Sequence, residues 1–179
     1  VDLEAARDKG VVVTNSPDVL NDATADTALL LLLAASRRAR ESFEMVVKGE
    51  WVGWSPTMLL GKQPTGKRIG IIGMGRIGRA MADRCRALGM EIHYHNRSRL
   101  SADLEGDATY HATSDELFKV ADFLSLHCEM TPETTKLVNA RTIALMPDTP
   151  VIVNTARGGI VDDDALISAL NSGRVAAAG

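Results

Sequence analysis

The 179-residue chain is long enough for a domain with a full hydrophobic core, and 45% apolar with 24% charged residues excludes disordered and fibrous classes. A formal net charge of −3 offers no broad basic field, so neither nucleic acid nor an anionic membrane surface is expected as the main partner. Cys85 and Cys128 allow no disulfide framework beyond a single bridge, which fits a reducing cytoplasm, and the longest apolar run, Ala28 to Ala35, is far short of the roughly 20 residues of a membrane span.

In chain order, Val1 to Lys9 reads as a helix stopped by Gly10, and Val11 to Thr14 as a short buried strand closed by the turn residues Asn15-Ser16-Pro17-Asp18. A long helix is expected from about Ala23 to Arg40, with Asn21 or Asp22 as N-cap and Arg37, Arg38 and Arg40 in a basic last turn. Its middle, Leu29 to Leu33, is apolar on every face. Such a helix is covered on more than one side, by its own domain and by another domain or subunit. Trp51, Trp54, Pro56, Gly61 and Pro64 then mark an irregular stretch.

From Lys67 onward short apolar strands alternate with helices. Arg68 to Ile72 reads as a strand, Ile77 to Leu88 as a helix, Glu91 to His95 as a strand, and Ser114 to Val120 as a helix opened by the capping box Thr113-Ser114-Asp115-Glu116. Phe123 to His127 and Val151 to Asn154 are further strands, with helices over Ala140 to Leu145 and Asp163 to Asn171, the second ended by Gly173. This alternation predicts an α/β fold with a doubly wound parallel sheet. Arg174 to Gly179 opens like a strand that has just begun, and Val1 falls inside a helix with no leader before it. Both ends read as cut, as in a piece of a longer protein.

The first chemical constellation is Gly73-Met74-Gly75-Arg76-Ile77-Gly78, placed where a strand hands over to a helix. Gly73 permits the tight turn, Gly75 lets backbone approach a pyrophosphate, and Gly78 lets the helix pack close to the strand. The helix start then offers N–H groups to the phosphates. Ile77, Met81, Cys85 and Leu88 recur at helical spacing, which makes Cys85 a core residue.

The end of the second strand selects between cofactors. In a Rossmann-type dinucleotide-binding domain an acidic residue about 20 positions after the turn holds the ribose 2′-hydroxyl of NAD. Here that place is Asn96, followed by Arg97-Ser98-Arg99. A carboxylate would repel a 2′-phosphate, whereas a neutral Asn, two guanidinium groups and a hydroxyl can bind one. NADP(H) is therefore expected to be preferred, with NAD(H) possible; a solvated basic turn is the alternative.

Asp22-Ala23-Thr24-Ala25-Asp26, the Gly73 turn, His127-Cys128-Glu129-Met130-Thr131-Pro132-Glu133-Thr134 and Asn154-Thr155-Ala156-Arg157-Gly158-Gly159 together resemble the D-2-hydroxyacid dehydrogenase family in order and spacing, over essentially the whole chain. Asn96 to Arg99 is most similar to NADP-preferring glyoxylate and hydroxypyruvate reductases. The resemblance implies a cofactor-binding domain over residues 21–179, truncated at its carboxyl end, and a remnant of a flavodoxin-like substrate domain over residues 1–20. It implies hydride transfer to a small 2-oxo acid, and a homodimer with the Ala23 to Arg40 helix and the Trp51 and Trp54 stretch at its surface. Arg157 becomes the catalytic residue that holds the substrate carboxylate and polarises the keto oxygen; without its flanking pattern it reads as a loop arginine. Thr155 and Ala156 line the nicotinamide side, Cys128 lies beside the cofactor, and Arg76 and Ile77 place backbone at the pyrophosphate. Thr24 is a cofactor contact or equally an ordinary first-turn residue.

The same resemblance requires a glutamate and a histidine as the acid/base pair, and both are expected beyond Gly179. His93, His95, His111 and His127 read as packing or surface positions. The chain alone is expected to bind cofactor without turnover. Other readings of the same residues are a non-catalytic dinucleotide sensor related to corepressors, and a formate or phosphite dehydrogenase. No residues suggest a metal or lipid site.

Overall fold

The computed structural model describes residues 1–16 and 18–179. Pro17, part of the predicted turn, lies outside the described residues. Helix α1 (Leu3–Asp8) is capped by the Asp2 carboxylate, which accepts from the Glu4 and Ala5 N–H groups, and it buries no side chain. The strand expected over Val11 to Thr14 does not form, and Val11, Val12 and Val13 are exposed. A strand needs a neighbour to take its N–H and C=O groups, and this run pairs with none among the described residues.

Helix α2 (Asn21–Ser36) departs from expectation at both ends. Neither Asn21 nor Asp22 caps it: Leu20 is the N-cap, and Asn21 Nδ2 donates to Asp18 Oδ1 instead. The predicted continuation to Arg40 is broken because the Ser36 carbonyl accepts from the Lys62 N–H and Arg38 takes φ 55°, after which helix α3 (Ala39–Val47) begins. Ala25, Ala28, Leu32 and Ser36 form the buried stripe of α2, with Leu29, Leu31 and Leu33 partly covered and Leu30 exposed. Phe43, Val46 and Val47 of α3 are exposed, as are Trp51 and Trp54 beyond it.

The remaining elements are β1 (Arg68–Ile72), α4 (Arg76–Ala87), β2 (Glu91–His95), α5 (Ala102–Glu105), β3 (Thr109–Tyr110), α6 (Ser114–Val120), β4 (Phe123–Leu126), α7 (Ala140–Leu145), β5 (Val151–Asn154), a 3-10 turn (Gly158–Ile160), α8 (Asp163–Asn171) and β6 (Ala177–Ala178). The capping box forms as predicted, Glu116 N–H reaching Thr113 Oγ1 and Thr113 N–H reaching Glu116 Oε2. Two corrections are small: β4 stops at Leu126, leaving His127 just outside, and α4 begins one residue early, at Arg76. Helix α5, strand β3 and the 3-10 turn have too few residues to show a period and are not foreseen.

All six strands are parallel, in the order β3-β2-β1-β4-β5-β6. Alternate residues face opposite layers. Ile69 and Ile71 of β1, Phe123 of β4, and Val151 and Val153 of β5 pack with α2 and α4, whereas Ile72, Leu124, Leu126 and Ile152 pack with α6, α7 and α8. The chain winds outward from β1 to β3 and then crosses to β4 on the other side. Strand order reverses between β1 and β4, and such a reversal opens a crevice at the carboxyl ends of the strands.

Candidate functional site

The glycine turn occupies that crevice. Gly73 takes φ +93°, a region that disfavours side chains, and a Cβ there would lie 2.6 Å from the Cys128 backbone nitrogen. A Cβ on Gly78 would meet the Gly73 carbonyl oxygen. At Gly75 it would meet nothing within 4 Å. The outer two glycines thus close β1 against α4 and the end of β4, while the middle one faces open space. No side chain caps α4. Its first backbone bond runs from Arg79 N–H to the Gly75 carbonyl, so the Arg76, Ile77 and Gly78 N–H groups have no partner within the helix. Bare donors beside an open glycine at a helix start fit a pyrophosphate. The Arg76 side chain turns away to Asp18, 3.0 Å off.

On the β2 side, the Met74 N–H donates to Asn96 Oδ1 at 2.6 Å, and the Tyr110 hydroxyl donates to the Asn96 carbonyl at 3.4 Å. Asn96 is therefore part of the support of the glycine turn. Arg99 is held by Glu105, Nε to Oε2 at 2.8 Å and Nη2 to Oε1 at 2.6 Å, and its guanidinium lies 5.8 Å from the centre of the Tyr110 ring. Arg97 and Ser98 are exposed, and among the described residues Arg97 forms no ion pair. The Arg97 charge helps hold the Glu133 carboxyl below its ordinary range, after the larger effects of the Thr131 hydroxyl and the backbone.

On the β5 side, Asn154 folds the turn that carries Arg157, accepting from the Ala156 N–H and donating to the Arg157 carbonyl. Arg157 is exposed, donates Nη1 to the Ala156 carbonyl at 2.8 Å, and has no carboxylate partner among the described residues. The loop behind it is pinned: Lys136 N–H donates to the Gly159 carbonyl and Val138 N–H to that of Ile160. Thr155 Oγ1 is buried without a hydrogen-bond partner. A buried hydroxyl left open beside a crevice calls for a ligand atom or water. Cys128 is half-buried next to Gly73, and burial raises its thiol pKa, so it is no ready nucleophile. Thr24 is half-buried in the first turn of α2, where Asp22 and Asp26 receive Arg84 from α4.

The four histidines stand apart from Arg157 in chemistry. His127 Nε2 lies 2.8 Å from Ser125 Oγ, and burial pushes its pKa down to about 4, so the ring is neutral near pH 7. His93 Nδ1 is 3.0 Å from His111 Nε2, and His95 Nδ1 is 2.9 Å from the His111 carbonyl, which places these three together at the β2–β3 edge. A cavity of about 720 Å³ opens at the opposite ends of the strands, between Lys62, Lys67, Asp122 and Asp148, away from the glycine turn. The groups that sequence reasoning missed are Met74, Tyr94, Glu105 and Tyr110. They act through a backbone N–H, two hydroxyls and a residue of a four-residue helix, none of which leaves a periodic signal.

Residues 29–179 match the family model for the D-isomer specific 2-hydroxyacid dehydrogenase NAD binding domain. The whole chain is 45% identical over 179 residues to 4-methyl-2-oxopentanoate reductase A of Aspergillus oryzae and 44% identical over 183 residues to the glyoxylate reductase of Thermococcus litoralis. It covers 53% and 55% of those proteins, so the chain spans about half the length of the curated relatives it matches. The crystal structure of a glyoxylate reductase from Paecilomyes thermophila superposes with a TM-score of 0.89 at 42% identity, over all of this chain and 53% of that one. No helix among the described residues is long and apolar enough to cross a membrane.

Proposed function

Because the chain belongs to the D-isomer specific 2-hydroxyacid dehydrogenase family through its NAD-binding domain, we propose that the intact protein reduces a small 2-oxo acid of the glyoxylate or hydroxypyruvate kind, preferring NADP(H) to NAD(H). The observation that carries the cofactor reading is the end of β2. A neutral Asn96 stands where a carboxylate would exclude a 2′-phosphate, its amide oxygen is already taken by Met74 N–H, and Arg97 and Ser98 follow it exposed, with no ion pair at Arg97 among the described residues. The nicotinamide, once bound, supplies the hydride.

The chain contributes the rest of the binding and polarisation. The Arg76, Ile77 and Gly78 N–H groups hold the pyrophosphate, and Thr155 and Ala156 border the nicotinamide. Arg157, at the carboxyl end of β5 with no carboxylate partner among the described residues, holds the substrate carboxylate with its planar fork and draws charge onto the keto oxygen. The proton comes from none of the four histidines described: His127 is pushed down to about 4 and turned to Ser125, and the other three are grouped at the β2–β3 edge. We assign the acid/base pair to the intact protein outside residues 1–179, and residues 1–20 to its substrate domain. The 179-residue chain alone then binds cofactor without turnover.

Steady-state reduction of glyoxylate and hydroxypyruvate by the intact protein, with NADPH and with NADH, tests this reading. Higher kcat/KM with NADPH is expected; no reduction of either acid overturns the substrate class. The exposed Phe43, Val46 and Val47 of α3, with Trp51 and Trp54, supply an apolar surface that we assign to a homodimer. Sedimentation of the intact protein should give a dimer at micromolar concentration.

A further inference from the structure

Glu105 is 7% exposed on a helix of four residues, and both of its carboxylate oxygens accept hydrogen bonds. Its Oε1 accepts from Arg99 Nη2 at 2.6 Å, and its Oε2 accepts from Arg99 Nε at 2.8 Å and from the Tyr94 hydroxyl at 2.5 Å. Tyr94 is fully buried, and its oxygen in turn accepts the Leu100 N–H at 3.1 Å. Glu105 therefore grips the segment 96–100 twice, at Arg99 directly and at Leu100 through Tyr94. The other end of the segment is held at Asn96 by Met74 N–H and the Tyr110 hydroxyl. Within this segment, among the described residues, only Arg97 and Ser98 are left untied. Arg99 spends its Nε and Nη2 edge on Glu105, keeps Nη1 unused, and is 65% exposed at its side chain.

We propose that Glu105, acting through Arg99 and Tyr94, is the positioning residue for NADP(H) selectivity: it fixes the 96–100 loop so that Arg97, Ser98 and the Nη1 edge of Arg99 converge on a ribose 2′-phosphate. This rests on the NADP(H) reading above. Two effects oppose each other here. A carboxylate near a phosphate repels it, which alone would make loss of Glu105 tighten NADPH. The geometry favours positioning as the larger effect, because the Glu105 charge is already matched by two hydrogen bonds to Arg99, whereas its removal leaves both Arg99 and the buried Tyr94 hydroxyl without their anchor.

The test is fluorescence titration of NADPH and NADH on the intact wild-type protein and on its Glu105→Gln and Tyr94→Phe variants. Wild type is expected to bind NADPH tighter. Each variant is expected to weaken NADPH by about fivefold while leaving NADH within about twofold, since only the first ligand meets the loop through a phosphate. Tighter NADPH binding by Glu105→Gln, with Tyr94→Phe unchanged, would mean that Glu105 only competes for Arg99 and would overturn the proposal. Equal weakening of both cofactors would reduce Glu105 to a structural support and overturn it too. An unchanged NADPH/NADH ratio in both variants, with wild type still preferring NADPH, removes this proposal alone. A wild type without NADPH preference removes the NADP(H) reading and this inference together.

Discussion

At the β2 end of the crevice the chain satisfies nearly all of its own polar groups, whereas at the β5 end it leaves them open. Arg99, Leu100, Tyr94 and Glu105 are joined in one hydrogen-bonded set, and Asn96 is held separately by Met74 and Tyr110. Among the described residues, Thr155 Oγ1 is buried without a partner and Arg157 meets no carboxylate. The contrast teaches which end is prepared and which end responds. A loop held by the protein selects its ligand by shape and charge before contact, while an unpaired hydroxyl and arginine gain their partners only from the ligand.

The contrast can be broken at several points, the largest effect being expected at the open end. Arg157→Ala should lower kcat/KM of the intact protein on the order of 10²- to 10³-fold while leaving the NADPH Kd within about twofold, because the role proposed for the arginine is toward substrate and not cofactor. Parallel loss of cofactor affinity would place Arg157 in the wrong role. Next comes the hinge between the two ends. Gly73→Ala should cost about 3 kcal/mol in chemical denaturation, because φ +93° and the Cys128 nitrogen 2.6 Å away both reject a Cβ.

At the prepared end, Arg97→Ala should weaken NADPH by about tenfold and NADH by less than about twofold, read by fluorescence titration. Smaller and opposite in sign, Thr155→Val should leave the cofactor-free protein as stable or up to about 1 kcal/mol more stable by removing an unpaired buried hydroxyl. A clear loss of stability would show that the hydroxyl has a partner in solution.

The smallest effect concerns pH. Arg99 first, and the Tyr94 hydroxyl second, hold the Glu105 carboxyl at about 2, below the value near 4.3 of an unperturbed glutamate. An acid whose pKa is lowered by folding contributes its full stabilisation above the unfolded value and loses it as pH falls toward the folded one. Acid unfolding curves of wild type and Glu105→Gln should therefore converge between about pH 4.5 and about pH 2. A difference that persists unchanged below that window would contradict the assignment.

The sheet and its glycine turn are legible in the sequence because each depends on local spacing. Ile69 and Ile71 alternate with Gly70 and Ile72 across β1, Gly73 and Gly78 each answer a separate demand of backbone geometry, and Gly75 leaves open space beside the helix start. The failures lie where a distant partner decides. Val11 to Thr14 has strand composition but no strand beside it. The helix from α2 ends at Ser36 because Lys62, far along the chain, takes its carbonyl. The charges of Asn96 to Arg99 gave an expectation about the cofactor, yet the hydrogen-bond partners of these residues left no signal in the sequence. Asn96 is bound to Met74 and Arg99 to Glu105, and no count along the sequence links a loop arginine to a glutamate on an unforeseen helix.

The crevice at Gly73 to Gly78, with Arg97 and Ser98 exposed at the end of β2, is proposed to select NADP(H). Side-by-side fluorescence titration of the intact protein with NADPH and NADH, at one fixed ionic strength, addresses it most directly. A lower Kd for NADPH is expected, and an equal or lower Kd for NADH would rule this selectivity out.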